Sequence, residues 1–217
     1  EIMPSLVGSE MCIRDRRYIT DLKGDPQRRP NLASMFVVDA TGTMLAVAYA
    51  LRDLGKKVTV FNQDEMPEKL AFLDPKKLLR GAQKPRSFDC VFVTDCANHE
   101  RLGTIRESVV RCGTLINIDH HASNTNFGDL NWIASKEPSS GELVYQLIRQ
   151  AGWKITPRIA DCLFTAISTD TGSFQYPSTL PETYYAAGDL VLPSWVDETP
   201  HNAAQVTWDP TLSPTGV

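Results

Sequence analysis

Two short apolar runs, each ending in an aspartate, constrain the fold of this chain more than any other feature. They are "CVFVTD" (90–95) and "TLINID" (114–119), and neither alternates apolar with polar residues. Such runs are typical of strands that are buried on both faces. Strands of this kind belong to a parallel sheet, which needs crossover connections between successive strands. The sequence therefore predicts an α/β fold, with helices on both faces of a doubly wound, mostly parallel sheet, followed by further helices.

The elements around these two runs follow the alternation that such a sheet requires. Two more strands are predicted, at 34–38 and 57–61. The spacing of apolar residues predicts helices at 42–54, 67–73, 101–112, 140–151, 157–169 and 181–191. Gly55 is expected to end the first helix, and Pro157 suits the first turn of a later one. Ser139 or Ser140 is expected to cap the helix at 140–151.

Acidic residues stand where these predicted strands end. Asp39, Asp95 and Asp119 each come directly after or at the end of a strand, so in a parallel sheet they share its carboxyl edge. Open α/β sheets bind their ligands along that edge. Asp170 is a fourth candidate, at the end of a helix in "STDTGSF", where Gly172 is expected to help force a turn. A single such aspartate is also a common turn or cap residue, but several together must share a cation or protons.

Two adjacent histidines follow one of these acids in "LINIDHHASN" (115–124), although the chain contains only four. Carboxylate oxygens together with imidazole nitrogens suit manganese, iron or magnesium better than a thiolate-bound zinc. His120 and His121 therefore predict a divalent-metal centre at the carboxyl edge. His99 and His201 have no acid-rich strand end beside them and are expected to be surface residues.

Composition limits the classes of function that the chain can serve. Its 217 residues, 42% of them hydrophobic, are enough to bury a core. A net charge of -4 argues against a broad surface that coats nucleic acid, but it permits a small anionic substrate held by a metal. No apolar run suggests a membrane span or a signal peptide, so we expect a cytoplasmic protein. The five cysteines show no CxxC spacing and are expected to be reduced, mostly buried thiols.

The two ends of the sequence differ from its middle. "LVGSEMCIRDR" (6–16) has no periodicity and resembles the translation of a sequencing-library adapter, so we interpret 1–31 as an adapter-like or disordered leader. The stretch 193–217 is rich in proline toward its end and is expected to be a tail or a truncated linker. The predicted catalytic domain occupies 32–192.

Four motifs, in this order and spacing, carry a resemblance to a known family. They are "VTDCAN" (93–98), "NIDHHASNTNFGD" (117–129), "SSGELVYQL" (139–147) and "STDTGSFQY" (168–176). They resemble the DHH phosphoesterases, above all the branch of oligoribonucleases (nano-RNases) that also dephosphorylate 3'-phosphoadenosine 5'-phosphate (pAp). The resemblance implies an N-terminal α/β domain that binds two divalent metals, usually Mn²⁺ with Mg²⁺ as the alternative. It also implies hydrolysis of phosphate esters by a metal-activated water.

The same resemblance implies a role for each candidate residue. Asp95 resembles the carboxylate that bridges the two metals, and Asp39, His120 and Asp170 resemble the other ligands of one of them. The remaining roles concern catalysis and substrate: Asp119 orients the histidines, His121 reaches a substrate phosphate oxygen, and Ser123 and Asn124 border the substrate.

The sequence departs from the family's pattern in two places. Ala33 and Val37 stand where the first motif has a histidine and an acid, so one of the two metal sites is expected to be degraded. Either the protein is a one-metal or inactive relative, or the stretch before Asp39 is read in a shifted frame. The family's smaller C-terminal (DHHA1-like) lobe has no recognisable counterpart here, and we expect it to be absent or truncated.

The sequence therefore predicts a metal-dependent phosphoesterase that hydrolyses short oligoribonucleotides, nucleotide 3'-phosphates such as pAp, or both. The alternatives are a catalytically impaired metal- or nucleotide-binding relative and an enzyme that acts like an inorganic pyrophosphatase. The expected partner is a small nucleotide or short RNA, with no membrane partner, and the sequence is compatible with a homodimer.

Overall fold

The computed structural model of the chain describes residues 34–37, 41–62, 65–80, 88–105 and 112–196. Its centre is one six-stranded sheet, built from β1 Ser34–Val37, β2 Val60–Phe61, β3 Leu79–Arg80, β4 Phe88–Thr94, β5 Cys112–Asp119 and β6 Leu130–Ile133. The spatial order is β3-β2-β1-β4-β5-β6, and every pair is parallel. The direction of strand order reverses between β1 and β4. This reversal confirms a doubly wound sheet and places its ligand crevice at the carboxyl ends of β1 and β4.

In the described ranges, four α-helices and two 3₁₀ helices accompany the sheet. They are α1 Thr41–Asp53, α2 Ser140–Gln150, α3 Pro157–Asp170 and α4 Pro181–Val196, with 3₁₀ helices at Glu68–Leu73 and His99–Ile105. The predicted signals for helix ends are present. Ser139 caps α2, its hydroxyl accepting a hydrogen bond from the Glu142 N–H at 3.1 Å. Pro157 opens α3, and Gly55 follows α1 with φ of 75°.

Three sequence-based predictions of elements need correction. The helix expected at 101–112 differs at both ends: 101–105 belong to a short 3₁₀ helix, kinked at Gly103 with φ of 53°, and Cys112 already belongs to β5, while 106–111 lie outside the described residues. The helix expected at 67–73 is also 3₁₀. The strand expected at 57–61 is only Val60–Phe61. Strands β3 and β6 were not predicted, because they are short and lack a continuous apolar run; their partners in the sheet define them.

The sheet has a hydrophobic core on each face, as its unalternating strands predict. In β4, Phe92 packs into the core that also contains the helices, whereas Val91 and Val93 pack into a second core on the other face. Among the described residues, the 3₁₀ helix His99–Ile105 covers that second face through Leu102 and Ile105. Strand β4 is therefore buried on both faces, which fixes the position of the residue that follows it.

Helix α3 lies against α1 at van der Waals distance. A Cβ atom added to Gly42 of α1 would lie 2.4 Å from the carbonyl oxygen of Cys162 and 3.1 Å from the Ala166 nitrogen. Only glycine permits this approach between the two backbones. The close packing fixes the axis of α3, and so fixes where its last residue, Asp170, lies.

Candidate metal centre

Asp95 is the residue that follows β4, and the protein holds it from two directions. Its backbone N–H donates to the carbonyl oxygen of Ile118 at 2.9 Å, which ties it to β5. The hydroxyl of Ser140, the first residue of α2, donates to Asp95 Oδ1 at 2.7 Å. The backbone of Asp95 has φ of 60°, a left-handed conformation that is uncommon for a residue with a side chain. Such conformations concentrate at functional sites, where the surroundings enforce them.

His120 presents one ring nitrogen to Asp95. The distance from its Nε2 to Asp95 Oδ1 is 3.4 Å. Its other nitrogen, Nδ1, lies 3.2 Å from the backbone carbonyl oxygen of Glu137. A carbonyl oxygen can only accept, so we assign the proton to Nδ1 and a lone pair to Nε2. This is the tautomer in which an imidazole can bind a metal through Nε2.

Asp119, the last residue of β5, is fully buried and accepts three hydrogen bonds. Its Oδ1 accepts from the His120 backbone N–H at 2.9 Å and from Nδ1 of His121 at 2.7 Å. Its Oδ2 accepts from Nδ2 of Asn124 at 2.6 Å. Because Nδ1 of His121 is committed to this carboxylate, its Nε2 is the nitrogen available for another group. These contacts are what an orienting role for Asp119 requires.

Asn124 connects the loop after the histidines to the ends of two strands. Its Nδ2 also donates to Asn117 Oδ1 at 2.8 Å and to the Cys96 carbonyl oxygen at 3.1 Å, while its Oδ1 accepts from the Asn126 N–H at 2.7 Å. Both ends of the Asn124 amide are therefore engaged within the protein, and Ser123 beside it is exposed. The predicted contact of this pair with substrate stays a prediction.

Asp170 approaches the same centre from the end of α3. A tight turn follows it, as predicted: the hydroxyl of Thr171 donates to the Ile167 carbonyl oxygen at 2.7 Å, and Gly172 has φ of 57°. Burial, together with the nearby charge of Asp95, raises the pKa of the Asp170 carboxyl to about 7, and His121 opposes this shift. Oδ2 of Asp170 is buried and has no hydrogen-bond partner among the described residues. This carboxylate oxygen lacks the donors that Asp119 has.

The two acids Asp95 and Asp170 place negative charge in one buried region. Burial raises the pKa of Asp95, and the Ser140 hydroxyl and the two histidines oppose that shift. Two neighbouring carboxylates cannot both ionise freely unless a cation or protons balance them. One ligand atom each from Asp95, His120 and His121 lies within 4.8 Å of the others. A carboxylate oxygen of Asp95 beside imidazole nitrogens is a donor set that fits a divalent cation.

The structure brings together most of the residues that the sequence analysis selected. Asp95, Asp119, His120 and His121 lie in direct contact, and Asp170 interacts electrostatically with the first of them. Asp39 lies outside the described residues. The sheet register pairs Val37 with Thr94, so the end of β1 lies beside the end of β4.

Sequence reasoning missed two polar residues of the centre. Ser140 was expected only as a cap, yet it binds Asp95. Asn117 is fully buried within β5, and its Nδ2 donates to the Cys96 carbonyl oxygen at 3.2 Å. A polar residue inside an apolar strand was the available signal, because a buried amide requires partners.

Curated proteins of two bacteria are similar to this chain. One is the bifunctional oligoribonuclease and PAP phosphatase NrnA of Bacillus subtilis, 30% identical over 156 residues that cover 70% of this chain and 49% of the relative. The NrnA of Thermus thermophilus is 31% identical over 159 residues, which cover 70% and 46%. The chain thus spans about half the length of these curated relatives.

A solved structure and a family profile complete the comparison. The fold is similar to that of an exopolyphosphatase-related protein from Bacteroides fragilis, with a TM-score of 0.75, 22% identity, and coverage of 83% of this chain and 57% of that one. The profile described as DHH family, N-terminal domain, matches residues 37–167, more than half of the 217 residues. The chain therefore belongs to the DHH family.

Proposed function

We propose that this chain carries the catalytic lobe of a metal-dependent phosphoesterase that hydrolyses short oligoribonucleotides, nucleotide phosphates such as pAp, or both. The observation that carries the proposal is the pair of Asp95 and His120, whose Oδ1 and Nε2 lie 3.4 Å apart. The contact of His120 Nδ1 with the Glu137 carbonyl oxygen sets the tautomer of this histidine. The names of the Bacillus and Thermus relatives, oligoribonuclease and PAP phosphatase, support the class of substrate.

The residues that would hold the metal are Asp95, His120 and Asp170, joined in the proposal by Asp39, which lies outside the described residues. We propose Mn²⁺, with Mg²⁺ as the alternative, because carboxylate oxygens suit both cations. A bound divalent cation supplies positive charge to the phosphoryl group and lowers the pKa of a coordinated water. The unpartnered Oδ2 of Asp170 supports this ligand set, because a cation would satisfy it.

The protein's own groups then orient the substrate. Asp119 holds His121 through Nδ1 at 2.7 Å, which leaves Nε2 for a phosphate oxygen. The His121 side chain is 33% exposed, so a substrate can reach it. Ser123 is exposed on the same loop and is proposed, with Asn124, to border the substrate.

A cytoplasmic location is part of the proposal and is supported by buried free thiols at Cys90, Cys96 and Cys162. In the described part of the chain, no helix is long and apolar enough to cross a membrane.

A second function is favoured by one feature of β1. Val37, an apolar residue, ends the strand that pairs with β4 beside the centre, where the DHH pattern has an acid. A protein with one weakened metal site would bind a metal or a nucleotide without efficient hydrolysis. This binding function and the enzymatic one make opposite predictions for turnover.

Metal binding and hydrolysis are measured separately. Mn²⁺ is expected to raise the melting temperature of the full chain and of Asp89→Ala, an exposed acid on the same strand β4, but not that of Asp95→Ala. Hydrolysis of pAp, of a short RNA and of inorganic pyrophosphate is then followed with Mn²⁺. Release of phosphate from pyrophosphate alone would favour the pyrophosphatase alternative, and an unchanged melting temperature with every divalent metal would contradict the centre itself.

The double variant Ala33→His/Val37→Asp separates the two functions. If the natural chain hydrolyses pAp or RNA, the enzymatic function holds for this sequence as it stands. If only the double variant does, the natural chain is the binding relative. Binding of Mn²⁺ by both, with no turnover by either, would contradict the proposed phosphoesterase activity of this chain.

A further inference from the structure

A cavity lies at the end of α3 that is remote from Asp170. Its volume is about 310 Å³, and it is lined by the end of α1, the turn before β3 and the start of α3, namely Tyr49, Arg52, Asp53, Lys76, Thr156, Pro157 and Arg158. Helix α3 has 14 residues, and an α-helix rises about 1.5 Å per residue, so the two ends are roughly 20 Å apart. This cavity is therefore separate from the metal centre.

Three cations from three separate segments converge on this cavity: Arg52, Lys76 and Arg158. None of these three cations takes part in the ion pairs found among the described residues. Those pairs join the two histidines of the centre to its aspartates, and Arg149 to Asp189. Asp53 is the acid that lines the cavity with them. The lining thus carries an excess of positive charge that the described part of the protein does not neutralise by contact.

Two other acids lie near these cations without neutralising them in an ion pair. Asp74 uses its carboxylate for the backbone N–H groups of Leu78 and Leu79, at 2.7 and 2.8 Å. Asp161 lies one turn along α3 from Arg158; burial raises the pKa of its carboxyl, and the guanidinium partly offsets that shift. Neither acid is part of the cavity lining.

Arg158 is held in place before any ligand arrives. Its guanidinium carbon lies 5.3 Å from the ring centroid of Tyr49, a cation–π contact. The Tyr49 hydroxyl is in turn fixed by donating to the Leu73 carbonyl oxygen at 3.0 Å. Nη1 of Arg158 is buried and has no hydrogen-bond partner among the described residues. An enclosed guanidinium nitrogen without an acceptor is unfavourable, and a bound anion would supply the acceptor.

The start of α3 adds backbone donors to the same place. Thr156 is the N-cap residue, and its side chain makes no capping hydrogen bond. Helix N-termini carry partial positive charge and free N–H groups, which favour phosphate and similar anions. The orientation of the helix therefore reinforces the three side-chain cations instead of opposing them.

We propose that this cavity binds a small phosphomonoester, such as a sugar phosphate, as an effector site distinct from the metal centre. Its volume is at the small end of known ligand pockets, which suits a ligand of that size. Arginine binds phosphate oxygens through two parallel hydrogen bonds, and two arginines are present. Asp53 would accept a hydrogen bond from a ligand hydroxyl, and the sugar of a sugar phosphate carries several.

The test uses the full chain in EDTA, so that the metal centre cannot take part. Melting temperature is measured against inorganic phosphate and ribose 5-phosphate, with sodium chloride at matched ionic strength as the reference. Both anions are expected to raise the melting temperature above that reference, ribose 5-phosphate at lower concentration. Arg158→Gln is expected to weaken the binding of both anions, so that about ten times the concentration or more is needed for the same rise in melting temperature. One charged hydrogen-bonded group contributes at least that much to affinity.

Matched variants decide the outcome. Lys136→Gln makes the same change of charge at an exposed residue outside this cavity and is expected to respond like the natural chain. Arg52→Gln and Lys76→Gln change exposed residues of the lining, and they replace Arg158→Gln if that variant does not fold. No rise above the sodium chloride reference would overturn the proposal. A rise that the lining variants retain would do so too, because binding would then occur elsewhere.

Discussion

The buried acids around the metal centre differ between its strand side and its helical side. On the strand side, Asp119 at the end of β5 accepts three hydrogen bonds between 2.6 and 2.9 Å. On the helical side, Glu142 of α2 accepts a hydrogen bond from the Thr183 hydroxyl at 2.9 Å, and Oδ2 of Asp170 has no partner among the described residues. Burial raises the pKa of both helical acids to about 7. Asp119 is therefore satisfied as folded, whereas Asp170 and Glu142 need a proton or a cation.

The largest expected effect is the loss of Asp119. Asp119→Ala would leave three donors without an acceptor in a fully buried position, and each unsatisfied buried group costs roughly 1–3 kcal/mol. We expect the free energy of unfolding to fall by about 3 kcal/mol or more, measured by urea denaturation in EDTA. Asp129→Ala, at a more exposed acid after the same loop, is the comparison. Its Oδ2 accepts one backbone bond, from Leu115, so a smaller loss is expected.

An equal loss of stability in Asp119→Ala and Asp129→Ala would contradict the inference that the three hydrogen bonds of Asp119 stabilise the strand side. Orientation of His121 is tested apart from stability. Asp119→Asn keeps the shape of the side chain. Its NH2 group either faces the donor Nδ2 of Asn124, or faces His121, which then loses its charged acceptor. Turnover of pAp is expected to fall more than the affinity for Mn²⁺.

The contact between α1 and α3 has the next largest effect, because it positions Asp170. Gly42→Ala would force a Cβ to within 2.4 Å of the Cys162 carbonyl oxygen, a backbone atom that cannot move alone. Overpacking of this kind costs roughly 1–3 kcal/mol. We expect a loss of about 2–3 kcal/mol in urea denaturation.

Gly188→Ala in α4 is the matched control, since an added Cβ there meets no atom within 4 Å. It is expected to stabilise the chain by roughly 0.5–1 kcal/mol, the difference in helix propensity between glycine and alanine. If both substitutions had the same sign, close packing at Gly42 would not explain the position of α3.

The strand side was also the more predictable half from sequence. The apolar runs that become β4 and β5 fixed Asp95 and Asp119 at one edge of the sheet, and the adjacent histidines followed. The reason is physical: a strand buried on both faces leaves a continuous apolar signature, and parallel strands align their carboxyl ends. Local sequence was enough to place these residues.

The contacts that complete the centre depend on parts of the chain that are distant in sequence. Ser140 lies 45 residues from Asp95, and the Glu137 carbonyl that orients His120 is a backbone atom that any residue would offer. Neither leaves a pattern in the sequence. Strand β6, which brings this segment beside β5, was missed because its four residues are defined by pairing rather than by apolar spacing. Asp170 was selected from the sequence, but the contacts made by Ser140 and by the Glu137 carbonyl required the tertiary structure.

Glu142 tests the helical side through pH. A carboxyl whose folded pKa is about 7, above its ordinary value of 4.5, favours the folded state most below pH 4.5 and loses that contribution as pH rises to about 7. Burial is the main cause, and the charges of Glu137 and Glu182 add to it, while Thr183 opposes it. Glu142→Gln keeps an acceptor for Thr183 without the charge. We expect it to stabilise the chain by about 2 kcal/mol at pH 8 and hardly at all at pH 4.5.

Urea denaturation across that pH range measures the difference. Glu100→Gln, at an exposed acid of the 3₁₀ helix His99–Ile105, is the control and should leave the pH dependence unchanged. The same pH dependence in the natural chain and in Glu142→Gln would mean that Glu142 is not ionising inside the fold.

The smallest effect on folding is expected at Asp170, although the effect on metal binding is large. Asp170→Asn replaces a carboxylate whose Oδ2 lacks a donor with an amide of the same shape, so nothing is left unpaired that was paired before. Asp170 is less buried than Glu142, and solvent screening reduces the effect of its charge. In EDTA we expect no loss of stability and a gain of up to about 1 kcal/mol.

The rise in melting temperature that Mn²⁺ produces is expected to disappear in Asp170→Asn. It is expected to persist in Asp161→Asn, which changes an exposed acid on the same helix. If Asp170→Asn destabilised the metal-free chain as Asp119→Ala does, the Asp170 carboxylate would be a structural group, and the contrast between the two sides of the centre would be wrong.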